Sequence, residues 1–159
     1  MNKILSGIFL GTLLTIASSA IAAGTDTDPV IGTWKLNVAK STFPAGQAPK
    51  AQTRVYTQSA QGLTLNMKTT EADGKESTTM TTYHLDGKDY PATGSPDYDA
   101  LSGKQIDANT AEFTLKKAGN AVGTTRRTVS KDGKTLTATG DLTDAKGVKS
   151  KELSVYDRQ

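Results

Sequence analysis

The chain contains no cysteine, so no disulfide supports its fold and no thiolate can act as nucleophile or metal ligand. Histidine is almost as scarce. His84 stands alone, which removes any histidine cluster that could hold zinc. Neither a Gly-x-Ser-x-Gly nor a Ser-x-x-Lys run is present, so the common serine acylation layouts are missing. An excess of charge of one sign is lacking too: 19 Lys and Arg face 16 Asp and Glu, a net charge of +3 that is too small for a nucleic-acid surface. Aromatic residues make up only 6% of the chain, too few for the two girdles of a membrane-spanning barrel. Asp97 and Asp99 form a close carboxylate pair, but without the acidic loop of a calcium site they read as solvated loop residues. The sequence therefore predicts no catalytic residues, no metal, no cofactor and no nucleic-acid partner.

What is present begins with an address. Lys3 precedes an apolar run from Ile4 to Ala17, and Ala20-Ile21-Ala22 supplies small residues at a cleavage site, so residues 1–22 read as a signal peptide. The expectation is a periplasmic or secreted protein that does not span the membrane once this segment is removed. Residues 23–28 read as a flexible tail and residues 29–159 as one domain.

Within that domain no segment outside the N-terminal run shows 3.6-residue periodicity. Alternation with period two dominates instead: Trp34, Leu36 and Val38 share one face, as do Leu63, Leu65 and Met67, and again Ala111, Phe113 and Leu115. Three Asp-Gly-Lys triplets, at 73–75, 86–88 and 132–134, lie between Thr-rich segments and read as hairpin turns. Strands are expected at Pro29–Val38, Gln52–Ala60, Gly62–Ala72, Glu76–Leu85, Ala100–Asp107, Thr110–Lys117, Ala121–Ser130, Thr135–Thr143 and Val148–Asp157, with an irregular stretch from Asp89 to Asp99 that holds one short strand and a loop. An open sheet of that length would expose two edges, and closure removes both. The predicted fold is all-β: a single antiparallel up-and-down barrel of about 8–10 strands.

Gly32-Thr33-Trp34 at the start of the first strand resembles the Gly-x-Trp signature of the lipocalin and calycin superfamily. The chain is similar to small secreted bacterial proteins called lipocalin-like. That resemblance implies that Trp34 closes one end of the barrel and that Arg158 packs across it.

Strand register decides which polar groups reach the interior. A three-residue loop at Asp73-Gly74 places Thr79, Thr81, Tyr83 and Leu85 on the face of Leu65 and Met67, burying Tyr83 and leaving His84 in water. Arg126 and Arg127 are consecutive in mid-strand, so one guanidinium must point inward, where it needs a carboxylate, carbonyls, water or a ligand anion. Tyr56, Tyr83 and Tyr98 could offer phenolic donors to a cavity, although strand aromatics are usually packing. The candidate ligand residues are Arg126, Arg127, Tyr83, Met67 and Phe113; Gly32, Trp34 and Arg158 are the candidate barrel-closing set. The expected function is non-catalytic binding of a small amphipathic or hydrophobic molecule inside the barrel. The alternative is an envelope-associated barrel filled by its own side chains, whose partner is another protein or the cell surface.

Overall fold

The computed structural model describes residues 28–143 and 147–159. The expected signal peptide and nearly all of the expected tail lie outside the described residues. The described residues form ten strands: β1 (Gly32–Leu36), β2 (Ala51–Ser59), β3 (Gly62–Thr70), β4 (Glu76–Tyr83) and β5 (Asp86–Thr93), then β6 (Ala100–Asp107), β7 (Thr110–Lys117), β8 (Asn120–Val129), β9 (Thr135–Thr143) and β10 (Lys149–Arg158). Each strand pairs with its sequence neighbours, and β1 returns to β10 to close the barrel. Trp34 lies opposite Arg158 and Leu36 opposite Tyr156 across that closing seam. The all-β up-and-down barrel expected from strand rhythm is the fold observed. Among the described residues the only helical turn is a 3-10 turn, Val38–Lys40, capped by the Asn37 side chain, which accepts from the Lys40 amide at 3.2 Å.

Two Asp-Gly-Lys triplets form the expected hairpins. At the first, the Glu71 amide donates to the Lys75 carbonyl at 2.8 Å and the Gly74 amide to the Glu71 carbonyl at 2.9 Å. The resulting register sets Leu63 against Tyr83, Leu65 against Thr81 and Met67 against Thr79. Tyr83 is accordingly buried and His84 exposed. Ser130 and Thr135 close the second hairpin in the same way.

The middle triplet corrects the sequence reading. Asp86 and Gly87 already belong to β5, and the chain reverses before them, at residues 84–85. Gly87 has φ +78°, and the β5–β6 register shifts between Asp86 and Asp89, so the triplet forms a bulge and not a turn. A glycine in the left-handed region serves either purpose, and the local sequence does not distinguish them. Beyond the bulge β5 runs on through Pro91, whose carbonyl accepts from the Thr81 hydroxyl at 3.0 Å. The short strand and loop expected between Asp89 and Asp99 are both present, the strand as the second half of β5 and the loop at residues 94–99.

β1 is shorter than predicted because turns flank it on both sides. The Ile31 amide donates to the Asp28 carbonyl at 3.0 Å, and the 3-10 turn follows Asn37. The longer connection that follows is stitched to β10 by paired backbone bonds between Thr42 and Leu153.

An up-and-down barrel has two distinct ends. Residues 28–31 and the connections at 60–61, 84–85, 108–109 and 130–134 gather at one of them. The 37–50, 71–75, 94–99 and 118–119 connections gather at the other. Trp34, Val30, Tyr83, Val129 and Leu136 are fully buried toward the first end. At about 1.5–3 kcal/mol per large apolar side chain, this cluster supplies much of the driving force available to a chain with so little apolar content.

Candidate functional site

The first end is sealed. Trp34 Nε1 donates to the Val30 carbonyl at 2.6 Å, and the Arg158 guanidinium lies 4.1 Å above the Trp34 ring. Arg158 also donates to the carbonyls of Ile31 at 2.8 Å and Pro29 at 2.6 Å, pinning residues 29–31 across the barrel opening. The Gly32 position has a steric explanation: a Cβ there would stand 2.6 Å from Arg158 Nη1. Glycine, tryptophan and arginine therefore form one interlocked cap.

Beneath that cap lies Arg127. Strand parity turns it inward, and its side chain is 4% exposed. It pairs with Asp28 Oδ2 at 2.8 Å and donates to the Tyr83 hydroxyl at 3.1 Å, with the rings of Tyr56 and Phe113 facing its guanidinium at 5.5 and 5.6 Å. Burial works against its charge. The Tyr83 and Tyr56 phenols and the Asp28 carboxylate outweigh that and hold its pKa above the ordinary value. Burial also pushes the Tyr83 phenol well above its usual range. One buried atom, Arg127 Nε, has no hydrogen-bond partner. Asp28, expected in a flexible tail, is instead a structural residue, because an inward guanidinium requires a carboxylate and Asp28 is the one in reach.

Arg126 points outward. It pairs with Glu112 at 2.8 Å on the barrel exterior, where both side chains are about half exposed, so it does not serve the interior. Phe113 packs edge-on against Tyr83, with ring centroids 5.5 Å apart. Met67 faces inward opposite Thr79 but near the other end, where it is half-buried. The expected ligand residues are therefore divided: Arg127, Tyr83 and Phe113 form one packed group, while Met67 stands apart from them.

The second end is open by comparison. Arg54 faces inward from β2, with its guanidinium 4.5 Å over the Tyr156 ring. Its Nε donates to Gln52 Oε1 at 3.2 Å, and the same oxygen accepts from the Tyr156 hydroxyl at 2.5 Å. Gln52 is itself anchored through Nε2 to Thr69 Oγ1 at 2.9 Å. The Tyr56 and Tyr98 phenols are also close enough to act on Arg54, and with Tyr156 they outweigh burial and hold its pKa above normal. Glu152 enters from β10 beside Gly140, and burial raises its carboxyl pKa; Arg54 opposes that rise and Asp97 adds to it. Arg54, Met67, Tyr98, Leu142 and Glu152 are half-buried, as are Asp28, Pro29, Ile31 and Arg158 of the cap, whereas Val30 and Trp34 are fully buried. Among the described residues, no carboxylate oxygen lies within 4 Å of Arg54.

Sequence reasoning missed Arg54, Gln52 and Glu152. One signal was available: Arg54 is two residues from Tyr56, and Glu152 is two from Ser154 and four from Tyr156, so burial of either tyrosine carries its partners inward. On its outer side the sealed end bears an open cleft of about 560 Å³ lined by Asp28, Gln58, Leu63, Tyr83, His84 and Leu85. Among the described residues no three acidic or histidine side chains are grouped to hold a metal ion.

No protein-family model matches the chain, and no curated protein matches it. The function must be argued from the barrel itself.

Proposed function

We propose that this is an exported, lipocalin-like barrel that binds a small amphipathic molecule through its open end, without catalysis. The observation that carries the reading is the difference between the two ends. One is capped by Trp34, Arg158 and residues 28–31, whereas at the other Met67, Leu142, Arg54, Tyr98 and Glu152, a mixture of apolar and polar side chains, stay half-buried beside the buried Thr69, Ala92, Leu101 and Leu115. A concave, mostly apolar surface with a few converging polar groups is the usual form of a small-molecule site. Ten strands give a wider interior than the eight that side chains just fill. The N-terminal run read as a signal peptide supports export.

One observation favours the second reading, a barrel filled by its own side chains. Arg127, the guanidinium expected to clamp a ligand, is already neutralised by Asp28. Native mass spectrometry of the protein purified from the cells that make it separates the two. A bound mass that is lost on denaturation supports carriage, and a clean apo mass at every preparation favours the filled barrel.

A further inference from the structure

We infer that Arg54 is the receptor for an oxyanion, a carboxylate or a phosphate, at the head of the amphipathic ligand. The inference rests on the reading of the open end as a binding site and adds the chemistry of what binds. It starts from a contrast within one interior. Three arginines face inward, and a guanidinium removed from water needs carbonyls or an anion to compensate it; Arg158 has the carbonyls of Pro29, Ile31 and Gly133. Arg127 has an anion from its own chain, Asp28 at 2.8 Å. Among the described residues Arg54 has none: Glu152, the inward carboxylate at the same end, stands beyond ion-pair distance.

The geometry also prepares Arg54 for an incoming partner. Gln52 Oε1 holds Nε at 3.2 Å, and the Tyr156 ring supports one face of the guanidinium at 4.5 Å. Gln52 cannot swing away, because Tyr156 and Thr69 bond to both ends of its amide. With Nε engaged by Gln52 and the Tyr56 hydroxyl within hydrogen-bonding reach of the guanidinium, the terminal N–H groups not taken by Tyr56 remain to meet a carboxylate or phosphate. A side chain fixed in its binding rotamer loses little entropy when the ligand arrives. Met67, opposite Arg54 across the β2–β3 pair, and Leu142 offer apolar surface to the rest of the molecule.

The groups facing Arg54 set the sign of a second effect. The Tyr56, Tyr98 and Tyr156 phenols surround Arg54, and the Glu152 and Asp97 carboxyls stand near the same opening. An oxyanion on Arg54 is repelled by an ionised Glu152. Removing that charge should therefore tighten anion binding and leave a neutral ligand unaffected, an outcome that a purely structural role for Glu152 does not produce.

The test is calorimetric titration of the full mature protein with dodecanoate, dodecyl phosphate and dodecanol, probes that share a tail and differ in the head. The expected result is binding of at least one anion about tenfold or more tighter than the alcohol. In Arg54→Gln that preference collapses to the level of dodecanol. In Glu152→Gln it grows. Arg54→Lys keeps the charge but loses the fork, and should fall between wild type and Arg54→Gln. Which anion binds better distinguishes a carboxylate ligand from a phosphate one. Equal binding of all three probes, or an anion preference that survives Arg54→Gln, overturns the assignment of Arg54 while leaving amphipath binding intact. Failure of all three to bind overturns both.

Discussion

At the scale of single residues, the arginines carry the account. Parity alone dictates that Arg126 and Arg127 point to opposite faces, so an interior guanidinium was legible in the sequence. Its partner was not. Asp28 precedes the first strand by four residues and looks like part of a polar tail; only the fold of residues 28–31 over the barrel end brings it to Arg127. Asp28→Ala leaves a buried charge unpaired and should cost about 3–5 kcal/mol in urea unfolding, whereas the double variant Asp28→Ala with Arg127→Met should recover most of that loss. An Asp28→Ala protein as stable as wild type would contradict the pairing. Glu152 gives a second test. Its folded-state pKa is raised above 4.5 by burial, so the folded protein holds that proton more tightly than the unfolded chain does. Stability from this group therefore falls as pH rises from 4.5 through the folded value and stays lower above it. Glu152→Gln should remove that slope in melting curves taken across pH 4–8 and be at least as stable as wild type at pH 7.

At the scale of elements, the hairpins were the most readable part of the chain because turn chemistry and alternation point the same way. The ambiguity lay in glycine. Asp73-Gly74 and Asp132-Gly133 turn the chain, while Asp86-Gly87 only bends it, since both structures use the same left-handed residue. Strand β2 was visible as a strand but not by face, because Arg54, Tyr56 and Gln58 do not form an apolar stripe. Space around the glycines sorts them by consequence. Gly94 combines φ +81° with a virtual Cβ only 1.8 Å from the Thr78 carbonyl oxygen, so Gly94→Ala should push β4 away from the 94–99 connection and cost several kcal/mol, about 2 or more. Gly133 has φ +69° but open space around it, and Gly133→Asn should cost less than about 1 kcal/mol because Asn tolerates the left-handed region. Chemical denaturation of the two variants side by side checks the contrast. Equal losses would mean that backbone strain, and not crowding, governs both sites.

At the scale of the whole molecule, closure and the asymmetry of its ends decide what the barrel can do. Closure was legible because a long open sheet would carry two unprotected edges. The asymmetry was not, since it depends on where ten strand tilts bring half-buried side chains together. One end is capped by Trp34, Arg158 and the segment that carries Asp28; toward the other, Arg54, Tyr98 and Glu152 stay half-buried. The most direct test of this account is a ¹H–¹⁵N NMR titration of the protein with dodecanoate. The predicted shifts gather at amides 52–56, 67–69, 97–99 and 150–156, around the open end. Shifts gathered instead at 28–31, 83–85 and 105–109, beside the outer cleft, or no shifts at saturating probe, would contradict it.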